Sequence, residues 1–123
     1  MAGAEDSRKA RALARSRMIV ASLARAGDDG RDARIVSHYI TPASDARDVA
    51  DDARIAELAK GWGLEVDFDA TGQGLRLHHD TAPADPAFES LVGRMAEELD
   101  GAGWVYEGWE CPVVRPAKSK RPD

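Results

Sequence analysis

The chain has 123 residues, of which 43% are hydrophobic and 32% charged, and a formal net charge of −5. That balance belongs to one globular domain and excludes a disordered chain; no apolar run approaches the roughly 20 residues of a bilayer-spanning helix. The single cysteine, Cys111, excludes an internal disulfide and any multi-cysteine metal centre.

The N-terminus lacks the pattern of a secretory signal, so the cytoplasm is the expected compartment and no membrane is expected as a partner. Charge is segregated along the chain. Residues 1–26 carry six bases and two acids, residues 27–111 nineteen acids and seven bases, and residues 112–123 four bases and one acid. An acidic body between basic ends repels nucleic-acid phosphates and attracts basic protein segments.

Residues 7–26 read as a basic amphipathic helix. Ala12, Leu13, Ile19, Val20 and Leu23 share a stripe interrupted by Ser16, and Gly27 stands where a helix ends. Residues 33–40 alternate as a strand, with Val36, His38 and Ile40 on one face and Ile35, Ser37 and Tyr39 on the other. Apolar residues on both faces predict a central strand covered on two sides. Thr41 is placed to cap a following helix, with Pro42 at its first position. That helix is expected over residues 43–60. Its first apolar stripe is Ala46, Val49, Ala50 and Ala53, and a second, rotated one is Ile55, Leu58 and Ala59. Asp45, Asp48, Asp51 and Asp52 are expected on the opposite, solvated side.

Residues 64–69 alternate strictly and predict a half-buried strand. Residues 71–74 form a hairpin turn, and residues 75–79 the return strand. Asp85 and Pro86 open the clearest helix, with Phe88, Leu91, Val92, Met95, Ala96 and Leu99 at helical spacing. A last strand over residues 104–111 carries Gly108 as a bulge candidate, and a basic tail without pattern closes the chain. The order helix, then β-α-β-β-α-β, predicts an α+β fold: a ferredoxin-like sandwich with an extra N-terminal helix free to cover the second sheet face. The organisation expected is a basic helix over 1–26, a domain over 27–114 and a basic tail over 115–123.

The search for chemistry is short. His78 and His79 are neighbours on a strand and point to opposite faces, so His38 could meet only one of them on a given face. A metal or small-ligand site built from His38 with one of the pair is the alternative functional reading. Cys111 lacks the base and the positive surroundings of a nucleophile. The glycines of 71–74 join two strands and cradle no phosphate. No catalytic set, cofactor or metal is expected. The unusual stretch is residues 104–110, where Trp104, Tyr106 and Trp109 cluster. They read either as core or as an aromatic anchor for a partner protein.

At this stretch the chain resembles the bacterial family of regulators of ribonuclease E activity, type B. Those proteins carry Tyr-Asp-Gly-Trp on the closing strand, where this chain has Tyr106-Glu107-Gly108-Trp109. The run from Arg17 through Gly27-Asp28-Asp29 into Val36-Ser37-His38-Tyr39-Ile40, and the helix after Asp85-Pro86, are similar in layout, so the resemblance spans about residues 17–114. It implies a ferredoxin-like fold and a non-enzymatic role: binding a ribonuclease E-type endonuclease outside its catalytic part, or another basic protein segment, without direct nucleic-acid contact. The residues expected to bind protein are Tyr106, Glu107, Gly108 and Trp109 as the specific contact. Asp45, Asp48, Asp51 and Asp52 are expected to supply the acidic attraction.

Overall fold

The computed structural model describes residues 4–43, 49–67 and 74–114. Helix α1 runs over Ala4–Arg25 and ends as its glycine predicts. Gly27 takes φ 89°, the Gly27 N–H reaches the Ala24 carbonyl (3.0 Å) and the Asp28 N–H the Leu23 carbonyl (2.9 Å). This closes the last turn with two backbone bonds that a residue with a Cβ would strain.

Strand β1 spans Arg34–Pro42, ending two residues later than the alternation suggested. Thr41 and Pro42 therefore belong to the strand and do not cap a helix. Pro42 is tolerated there because β1 pairs with the third strand only as far as Ile40, while Ala43 donates to the Gly103 carbonyl (2.8 Å) on the other side. The position lacking an N–H thus falls where no neighbouring strand needs one.

Helix α2 covers Val49–Trp62, β2 Glu65–Asp67, β3 Leu75–Thr81, α3 Pro86–Gly101 and β4 Trp104–Glu110. The predicted start of α2, the turn over 71–73 and the tail from 115 lie outside the described residues. Asp85 caps α3 as expected, accepting the Ala87 N–H at 2.9 Å with Pro86 behind it. The buried face of α2 is Ile55, Ala59 and Trp62, whereas Ala53 is exposed. The second apolar stripe therefore faces the core. Asp51 and Asp52, one turn before Ile55, flank that stripe half-buried; the side opposite the core is not where they sit.

The architecture is α+β: three helices on a four-stranded antiparallel sheet of order β2-β3-β1-β4, compatible with a ferredoxin-like arrangement. All three helices pack on the face that carries Val36, His38 and Ile40. The expectation that α1 would cover the other face is corrected. It lies antiparallel to α3, with Arg8 paired to Asp100, Lys9 to Glu97 (3.4 Å) and Arg17 to Glu89. Gly93 lets the two helices approach, since a Cβ there would meet the Lys9 side chain at 3.2 Å. The basic segment of the sequence and the acids of α3 are thus two sides of one seam. No described helix covers the outer sheet face, and Ile35 is 54% exposed on it.

Candidate functional site

The Tyr106-Glu107-Gly108-Trp109 quartet is a bulge. Tyr39 stands opposite Gly108 and Ile40 opposite Tyr106, so Glu107 has no partner across the ladder. Gly108 takes φ 136° to make the bend. The extra residue resets the alternation and brings Trp109 to the inner face with Trp104 and Tyr106. Trp109 is 5% exposed, donates its ring N–H to the Ser16 hydroxyl of α1 (3.0 Å) and meets Phe88 edge-on at 5.0 Å. Tyr106 packs against both halves of the core. The aromatic-anchor expectation is corrected accordingly: these rings hold α1 and the sheet together and offer no exposed patch. Glu107 does stay exposed. Its carboxylate accepts from the Thr41 hydroxyl (2.7 Å) and its carbonyl from Arg15. Asp51 and Asp52 sit half-buried in the first turn of α2; Asp45 and Asp48 lie outside the described residues.

Behind the quartet lies a polar chain inside the core. His38, fully buried on β1, has Nδ1 2.7 Å from the Tyr106 hydroxyl and Nε2 3.0 Å from Nε2 of His79 on β3. Alternation allowed His38 to meet His78 or His79, and the structure brings it to His79. Alternation did not show Tyr106, which lies 68 residues away in sequence. One proton arrangement satisfies both contacts and uses the phenolic hydrogen: Tyr106 donates to Nδ1, and His38 Nε2–H donates to a bare His79 Nε2. Both imidazoles are then neutral. Burial pushes His38 down to about 3, with His79 and His78 adding to the effect, and burial lowers His79 as well. Burial raises Tyr106. The two facing nitrogens could share a cation, but His78 points to the outer face. Among the described residues no group of three or more His, Cys, Asp or Glu side chains is arranged to hold a metal ion.

A second buried polar unit lies at Asp28, for which sequence reasoning had no role. Asp28 and Arg34, both almost wholly buried, form a two-pronged ion pair. Asp28 also accepts the N–H of Gly30 (2.9 Å) and of Val114 (2.9 Å), and Arg34 donates to the carbonyls of Asp32 (3.0 Å) and Pro112 (3.2 Å). The Arg34 guanidinium holds the Asp28 carboxyl down to about 2. The spacing of six residues across a turn was the available signal. Nearby Cys111 is half-buried, and burial pushes its thiol up, away from the thiolate a nucleophile needs.

The outer sheet face is the remaining candidate. Register puts Ser37, Tyr39 and Thr41 of β1 there with Arg76, His78 and Asp80 of β3, Glu65 and Asp67 of β2, and Val105 and Glu110 of β4. Glu107 leans onto the same face through Thr41. Among the described residues, five carboxylates thus share the face with one guanidinium and with His78, whose Nε2 lies 3.6 Å from Glu65. Tyr39 sits at its middle, donating to Glu110 (2.6 Å) under the Arg76 guanidinium, 5.8 Å from the ring centre. Among the described residues the face has the area of four strands, a negative field and the Tyr39 and His78 rings. No protein-family model, curated protein or solved structure matches the chain.

Proposed function

We propose that the chain is a non-enzymatic, cytoplasmic protein-binding regulator of the ferredoxin-like class, with α1 appended to that fold. Its docking surface is the outer face of the sheet, and its partner is a basic protein segment. The resemblance of the Tyr106–Trp109 stretch names the partner class: the non-catalytic region of a ribonuclease E-type endonuclease. The observation that carries the reading is the open face on which Glu65, Asp67, Asp80, Glu107 and Glu110 outweigh Arg76. Such a field speeds encounter with an arginine-rich segment, and Tyr39, beneath Arg76 and bonded to Glu110, holds the middle of the face in one geometry. The same field argues against RNA on this sheet, because phosphates would be repelled and β3 brings no Phe or Tyr to it.

The test is titration of the full chain with an arginine-rich peptide from such an endonuclease over a salt series. Binding should weaken with salt, and Glu65→Lys with Glu110→Lys should weaken it at least tenfold while leaving the melting temperature nearly unchanged. Equal affinity in the variant, or no binding at low salt, would remove this function.

A further inference from the structure

Opposite the acidic face, at the outer edge of β4, the molecule carries a concentrated positive site. Arg8, Arg11 and Arg15 lie at helical spacings of three and four, so α1 presents them in a row. They line a cleft of about 220 Å³ between α1 and β4, with Trp104 and Gly108 in its other wall. Two of the three are already held in place. Arg8 is tied to Asp100 at the end of α3, and Arg15 donates to the Glu107 carbonyl that the bulge turns outward. Gly108 makes room for this: a Cβ there would meet the Arg15 side chain at 3.2 Å. Arg11, between them and exposed, has no ion pair or hydrogen bond among the described residues.

Two further bases of α1 are engaged elsewhere. Lys9 and Arg17 turn to Glu97 and Glu89 of α3. Glu107 lines the cleft mainly through its backbone, since its carboxylate is engaged with Thr41 on the outer face. Each guanidinium has five N–H donors, and one contact per arginine leaves most of them available. The cleft is smaller than the roughly 300 Å³ at which drug-sized ligand pockets begin, so it suits one compact group. Three guanidinium groups lining one cleft favour a tetrahedral dianion, which offers three acceptor oxygens and twice the charge of a carboxylate.

We propose that this cleft binds a phosphate group, either free phosphate or a phosphomonoester on a small molecule. It is a second site, independent of the docking face. The test is a titration of the full chain, followed by amide NMR, with inorganic phosphate, phosphoserine and succinate, each against sodium chloride of equal ionic strength. Phosphate should give saturable shifts at Glu107, Gly108 and the Arg11 turn. Phosphoserine should match it, with succinate at least tenfold weaker, and binding by phosphate alone would assign the site to the free ion. Arg11→Gln should weaken phosphate binding at least fivefold without moving the melting temperature, and Arg11→Lys should restore part of it. Shifts no different from those in chloride, equal binding by R11Q, or succinate binding as well as phosphate would each overturn the proposal.

Discussion

Between α2, α3 and the sheet, the core is packed from Ile40, Ile55, Leu75, Leu77, Met95, Leu99 and Trp104, and Trp62 turns its N–H outward to Glu98 (2.8 Å). Under α1, Val36, Phe88, Val92 and Trp109 share the interior with Ser16 and His38, and the buried Asp28–Arg34 pair closes that end. The contrast separates two kinds of work. Apolar packing stabilises in proportion to area and tolerates small slips. Buried polar groups must meet partners in one geometry, so they set where α1 lies on β4 and how the chain leaves the sheet. A buried ion pair gains little over apolar residues of the same shape, yet breaking one side of it leaves an uncompensated charge.

The largest expected effect comes from breaking the polar end on one side. Asp28→Ala should cost about 3–5 kcal/mol in chemical denaturation, because Arg34 is left buried and unpaired. The double variant with Arg34→Met should recover most of that; equal losses would mean the pair is not what holds the loop. Next, Leu99→Ala in the apolar half should cost about 2–5 kcal/mol. That loss should be the same at pH 7 and pH 5, and a pH-dependent loss would erase the contrast between the halves.

Tyr106→Phe should follow at about 1–3 kcal/mol, by leaving His38 Nδ1 without its donor. The pH response belongs to this half too. His38 is held below its ordinary 6.5, so the unfolded chain takes up the proton first, and stability should fall as pH drops from 6.5 toward 3. Asp28 adds a second loss as pH falls below 3.8 toward 2, where its carboxylate finally protonates in the folded chain. Urea midpoints at pH 7, 5.5 and 4.5 should show a shallower fall in His38→Leu than in the natural sequence; parallel curves would remove His38 from the response. The smallest effect is expected at the seam between α1 and α3. Arg17→Ala should cost less than about 1 kcal/mol and nothing at high salt, since the pair is exposed.

The helix ends were legible because they are local. Gly27, and Asp85 with Pro86, announce them within a few residues, and the spacing of Phe88 through Leu99 names the buried face of α3 outright. The bulge at Gly108 could be suspected, but its consequence could not be settled, because whether Trp109 turns inward depends on how β4 registers against β1. Thr41 and Pro42 carried the local signature of a helix start, and strand pairing overrode it. Ile35 and Tyr39 suggested a covered face. Instead α1 buries Ala12 and Leu23 with Val92 and Ala96 of α3 on the inner face, which leaves the outer face open.

By itself, then, the sequence determined the kinds and order of elements, the inward residues of α1 and α3, and the pairing of an acidic body with basic ends. These follow from periodicities of two and 3.6 residues and from capping chemistry, all of which act over a few bonds. Only the tertiary structure decided that Asp28 would meet Arg34 and Val114, that His38 would join Tyr106 to His79, and that Arg8, Arg11 and Arg15 would face a strand edge. Each of those depends on chain segments far apart in sequence being brought within hydrogen-bond reach, and no local pattern encodes such a meeting.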